Sequence, residues 1–113
     1  MYASLRQWRL DGDRFDEVRG KAQETVVPEM RRMEGFVAYY LVRLAEDRGF
    51  SVTIFQDREG ADEANRVVAG LIRRELPDAF AEPPQIAVGE IVVDATAEAA
   101  GGRTTSAPSA AGR

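Results

Sequence analysis

Apolar positions change period several times along this chain. Residues 2–10 mix aromatic and β-favouring side chains with polar ones, which predicts a first strand lying between two different environments. Asp11-Gly12-Asp13 breaks it. Asp13 is the expected N-cap of a first helix, with Asp16 and Glu17 complementing the positive end of that helix. Phe15, Val18, Ala22, Val26, Met30 and Met33 then recur at steps of three and four, which is one helix face. Pro28 falls inside this run, where its missing N–H and its ring disturb the preceding turn, so the helix is expected to kink or restart there. Glu34-Gly35 ends it.

From Phe36 to Leu44 both alternating faces are largely apolar. Phe36, Ala38, Tyr40, Val42 and Leu44 fall on one, with Val37, Tyr39 and Leu41 on the other. Such a strand is covered on both sides. Ala45 to Gly49 reads as a short polar turn, so Phe50 to Gln56 returns as the antiparallel partner of a hairpin. Asp57 can cap a second helix in which Ala64, Val68, Ile72 and Leu76 follow steps of four, broadened by Val67 and Leu71. Pro77 stops it. A connection to Pro84, anchored by Phe80, leads to a last strand from Gln85 to Ala95.

The order β-α-β-β-α-β predicts an α+β, ferredoxin-like fold: a four-stranded antiparallel sheet with two helices on one face. The other face then stays open. Val37, Tyr39 and Leu41 are expected there, and a domain of this size supplies no third layer, so a homodimer through the sheet face is the expected cover.

Composition shifts after Ala95. Of the 18 residues from Thr96 to Arg113, 15 are Ala, Gly, Ser, Thr or Pro. Too little apolar surface is available there to offset the entropy of ordering, so the expectation is a 1–95 domain and a disordered tail, 96–113.

The 113 residues include no cysteine and no histidine. Disulfides, a Ser/His/Asp triad, a thiol protease pair, zinc fingers and two-histidine iron sites are therefore excluded; haem is left only a tyrosine ligand, and no metal or cofactor is expected. No apolar run approaches a membrane span or a secretory signal, which makes the cytoplasm the expected location. The net charge of −4 opposes phosphate binding. Although Arg48-Gly49-Phe50 on the third strand fits an RNA-recognition domain of the same element order, Val52 replaces the central stacking aromatic, so no nucleic acid is expected. Arginine supplies 14 of the 15 basic residues, a composition consistent with a G+C-rich bacterial coding bias.

Several short runs carry a resemblance. Tyr2-Ala3-Ser4, Phe15-Asp16-Glu17, Val27-Pro28-Glu29-Met30, Met33-Glu34-Gly35-Phe36, Tyr39-Tyr40-Leu41 and Ser51-Val52-Thr53 through Phe55-Gln56-Asp57 resemble the antibiotic biosynthesis monooxygenase superfamily over about residues 2–95. The resemblance implies a dimeric α/β barrel, with small-molecule pockets between each sheet and its helices. It also implies an activity among cofactor-independent oxygenases of aromatic polyketides or haem-degrading enzymes. The latter use a pocket histidine, which this chain lacks.

The oxygenase branch uses Asn, Trp, Tyr and Arg side chains to bind and polarise a phenolic substrate. The candidate substrate-binding residues are accordingly Trp8, Tyr40, Arg43 and Asn65, with no catalytic residue assigned. Each also has a plainer role available: Trp8 and Tyr40 as core packing, Arg43 as a strand-end or salt-bridged residue, and Asn65 as an exposed helical residue. Glu90, in an otherwise apolar run, reads as an edge or rim acid or as one facing the barrel. The expected function is a small-molecule enzyme resembling cofactor-independent monooxygenases, acting on an aromatic or polyketide-like ligand. The alternative is a non-catalytic dimeric module that binds a small hydrophobic ligand or a protein. A closed apolar pocket with two or three convergent polar groups under the helices discriminates between them.

Overall fold

A computed structural model describes residues 1–97. Its elements run β1 (Tyr2–Arg9), α1 (Phe15–Lys21), a π-helical segment (Ala22–Val26), α2 (Val27–Arg32), β2 (Phe36–Ala45), β3 (Arg48–Phe55), α3 (Arg58–Glu75) and β4 (Gln85–Glu90). The sheet order is β2-β3-β1-β4, with every neighbouring pair antiparallel. This is the ferredoxin-like α+β arrangement, with the helical layer on one face. No helix among the described residues is long and apolar enough to cross a membrane.

Pro28 does not break the first helix; the turns before it widen instead. The N–H of Val27 bonds to the carbonyl of Ala22, five residues back, and Pro28 opens α2, where a missing donor is harmless. This winding also explains the apolar spacing. In an α-helix each step of four overshoots one face by about 40°, so Val18, Ala22, Val26 and Met30 would drift out of line. The wider π turn winds them back, and all four are buried. Asp13 is not the N-cap. Gly12, at φ 89°, turns the chain so that its carbonyl takes the Arg14 N–H at 3.1 Å, and the cap falls to Arg14 without a side-chain bond. Asp57 does cap α3, accepting from the Gly60 N–H at 2.9 Å.

Strand β2 corrects the expected facing. Phe36 pairs with Phe55 and Ala38 with Ile54, so two residues of β2 oppose one of β3 and Val37 is the extra residue of a bulge. Beyond that point alternation is inverted: Tyr39 and Leu41 pack beneath the helices, while Ala38, Tyr40 and Val42 lie on the open face. Tyr40 is therefore not a core residue. The residue is 57 % exposed.

Two apolar clusters hold the helices to the sheet. One joins Trp8, Leu10, Phe15, Val18 and Leu76, with Phe80 packed against it as its sequence position suggested; the other joins Val26, Met30, Phe55, Ala64 and Leu71. Strand β4 stops at Glu90, short of the expected Ala95, and Val92 and Val93 beyond it are more than four-fifths exposed. Glu90 is exposed on this edge strand, opposite Tyr2. The expected tail lies outside the described residues from position 98 onward.

Candidate functional site

Alternation along β1 places Ser4, Arg6 and Trp8 on the helix-covered face. Across the ladder, Ser4 pairs with Thr53 and Arg6 with Ser51. These four polar residues are all buried, and they form a stripe across the sheet beneath the helices. Trp8 pairs with Gly49, and a Cβ at Gly49 would lie 2.7 Å from the indole and 2.5 Å from the Val42 carbonyl. Only glycine lets the ring lie flat there. Phe15 and Phe80 hold it from the other sides, at centroid distances of 5.5 and 5.9 Å.

Asn65 descends from α3 onto the stripe. Its side-chain carbonyl accepts from Ser4 Oγ at 2.8 Å and from Arg6 Nη2 at 3.2 Å, and its backbone carbonyl accepts from the same Nη2 at 3.3 Å. Arg6 is 6 % exposed and has no carboxylate partner among the described residues. Burial pushes its pKa down, opposed by the neighbouring Tyr39 oxygen. Burial likewise pushes the Tyr39 phenol up, opposed by the Arg6 charge, so the phenol is a neutral O–H donor at pH 7.

A small chamber of about 40 Å³ lies over the stripe, between Arg6, Ser51 and Tyr39 below and Val26, Val68 and Ile72 above. Beside it, a cleft of about 370 Å³ opens between β2 and the first helix, lined by Phe15, Arg19, Gln23, Val27 and Arg43. Ala22, Tyr39 and Leu41 form walls of both. Arg43 stacks its guanidinium 4.7 Å from the Phe15 ring centroid, and Arg19 pairs with Asp16 at 2.9 Å.

No protein-family model matches the chain, nor does any curated protein. Solved structures do. A candidate antibiotic biosynthesis monooxygenase from Bordetella bronchiseptica superposes with a TM-score of 0.68 at 20 % identity, covering 81 % of this chain and 97 % of that one. SnoaB, a cofactor-independent oxygenase from Streptomyces nogalater, gives 0.64 at 10 % identity over 82 % and 94 %. The heme-degrader MhuD from Mycobacterium tuberculosis, with two hemes in its active site, gives 0.66 at 18 % identity over 85 % and 100 %. The fold is that of the antibiotic biosynthesis monooxygenases. On this monooxygenase fold the cavity residues do not fit haem. The chain has no histidine or cysteine to ligate iron, and the cavity's one phenol, Tyr39, holds its proton through burial.

Of the four residues singled out from sequence, the fold brings two to the cavity walls and a third, Asn65, onto Arg6 beside them. Trp8 forms a chamber wall while packing in the first cluster, Arg43 lines the cleft, and Asn65 is the half-buried acceptor for Ser4 and Arg6 rather than an exposed helical residue. Tyr40 is on the opposite side of the sheet. The Val37 bulge puts Tyr39 in its place. Arg6 and Ser4 were missed, although both share Trp8's face by simple alternation, and a polar pair on a buried face is the signal that finds them.

Proposed function

We propose that this chain is a cofactor-independent oxygenase that oxidises an aromatic or polyketide-like substrate in the cavity between sheet and helices. One observation carries the reading: a largely apolar space under the helices, lined by Arg6 and Tyr39, with Asn65 hydrogen-bonded to Arg6 beside it. That SnoaB, a cofactor-independent oxygenase, shares the fold supports it.

The chemistry asks little of the protein. An ionised hydroxyarene is electron-rich enough to pass one electron to dioxygen. Recombination at a ring CH₂ gives a hydroperoxide, and loss of water leaves a carbonyl, so that CH₂ and O₂ become C=O and H₂O. The cleft takes the ring between Phe15 and Leu41. Arg43 at its wall favours the ionised hydroxyl, and Tyr39 offers a neutral O–H to the same oxygen. Trp8 and Phe80 keep water from the inner end.

Dissolved-oxygen uptake with a hydroxyanthrone probe tests this. The expected result is one O₂ consumed per quinone formed, slowed about tenfold in Arg43→Met. Uptake no faster than in protein-free buffer, with the probe still bound, would mean a binding module instead.

The working unit is proposed to be a cytoplasmic homodimer whose open sheet faces close on each other as a barrel. Support comes from Leu5 and Tyr40, 47 % and 57 % exposed, which share that face with Val42, Phe50, Val52 and Ile54.

A further inference from the structure

We infer that the inner chamber is a carboxylate seat: Arg6 receives the carboxylate of an aromatic acid whose ring lies in the adjoining cleft. The inference rests on reading the cavity as the substrate site and adds the chemical class that the site selects.

Arg6 is the starting point. A guanidinium removed from water without a counter-charge is a standing destabilisation that folding alone does not explain. Both of its hydrogen bonds leave from Nη2 and end on Asn65. Its Nε and Nη1 have no acceptor among the described residues, so the guanidinium keeps N–H groups free for an anion in the chamber. Asn65 thus acts as a positioning residue, holding Nη2 while the remaining N–H groups are left for the ligand.

Charge distribution points the same way. The chain is net negative at −4, yet the walls of chamber and cleft carry Arg6, Arg19 and Arg43 and no carboxylate. The acid beside this route, Asp16, is paired with Arg19 at 2.9 Å.

Volume divides the ligand. About 40 Å³ in the chamber corresponds to a few water molecules, the size of a carboxylate and too small for a ring. About 370 Å³ in the cleft is room for an aromatic body. A carboxylate is favoured over a phenol as the head group because a carboxylic acid, with a pKa near 4, arrives fully charged at pH 7. A phenol, with a pKa near 10, arrives neutral and leaves the guanidinium uncompensated.

Calorimetric titration of the full chain at pH 7 with 2-naphthoate, 2-naphthamide and 2-naphthol separates the possibilities. Wild type is expected to bind naphthoate at least about tenfold more tightly than either neutral probe. The gap should close in Arg6→Met and partly return in Arg6→Lys. Should Arg6→Met fail to fold, the Arg6 Nε–H resonance of the unaltered protein decides, moving with naphthoate and staying still with the amide. Equal affinities, a preference for naphthol, a gap that survives in folded Arg6→Met, or no naphthoate binding at millimolar concentration would overturn the assignment.

The oxygen measurement keeps the two ideas separate. Naphthoate held through Arg6 without any hydroxyanthrone oxidation leaves the carboxylate seat standing and removes the oxygenase. Hydroxyanthrone oxidation by the wild type, with naphthoate bound no more tightly than naphthamide, does the reverse.

Discussion

The two faces of the sheet each depart from the usual arrangement. Beneath the helices, where an apolar layer is the norm, lie Ser4, Arg6, Ser51 and Thr53, all buried. On the side without helices lie Leu5, Tyr40, Val42, Phe50, Val52 and Ile54. Neighbouring residues of one strand thus serve opposite ends, since Leu5 faces out between two buried polar side chains. Buried polarity and exposed apolar surface are the informative departures from ordinary composition. Here they occupy the two sides of a single ladder, the one under the proposed ligand site and the other on the proposed dimer face.

Breaking the outer side has the largest expected effect. Tyr40→Asp places a charge on the open face, and the dimer dissociation constant should rise by at least about 100-fold. Light scattering at micromolar concentration should then report a mass near 12.4 kDa rather than twice that. Leu41→Asp tests the other side of the same strand, and because Leu41 packs under the helices it should lower stability first. If Tyr40→Asp left the mass unchanged, the outer face would not be an interface.

On the inner side, Gly49→Ala forces a methyl group against the Val42 carbonyl and the Trp8 ring. A loss of about 1–3 kcal/mol is expected, read as several degrees in a thermal melt. An unchanged melting temperature would show that the indole has room to move.

A smaller effect comes from pH. Tyr39 holds its proton more tightly when folded than the usual phenol value of 10.0 allows. Between that value and the higher folded one the unfolded chain binds fewer protons, so stability is intact below pH 10 and falls as the pH rises beyond it. Urea midpoints measured at pH 9 and pH 11 should drop less in Tyr39→Phe than in wild type. Smallest of all, ending the chain after Ala95 should move the melting temperature by less than about one degree. A loss of several degrees would mean that the C-terminal residues cover one of the two faces.

Much of this was legible in the sequence. Element order, the hairpin, the Asp57 cap and the Phe80 anchor follow from local patterns with a single physical reading. The facing of β2 did not, because a strand that is apolar on both sides carries no mark of the one extra residue, Val37, that inverts it. For the same reason Tyr40 was chosen where Tyr39 belongs. Arg6 was hidden differently: an arginine beside Gln7 and Arg9 looks like ordinary surface until Trp8 is recognised as buried, after which alternation requires Arg6 to be buried too. Asn65 was visible as a residue, but its partners stand 59 and 61 positions away, and only the folded sheet brings them within reach.

A π-helical segment is the imprint of one residue more than an α-helix of the same span requires. In this chain it forms part of the cavity's roof: Ala22 borders both spaces, Val26 the chamber and Gln23 the cleft. Removing a residue there would restore regular winding and leave Met30 on its buried face, while the residues of the segment itself would shift against the cavity. Chain length between Lys21 and Val27 therefore sets the height of the roof, while the strands bearing Arg6 and Trp8 stay untouched. An insertion or deletion at this one place would reshape the roof of the cavity while leaving the side chains of its floor unchanged.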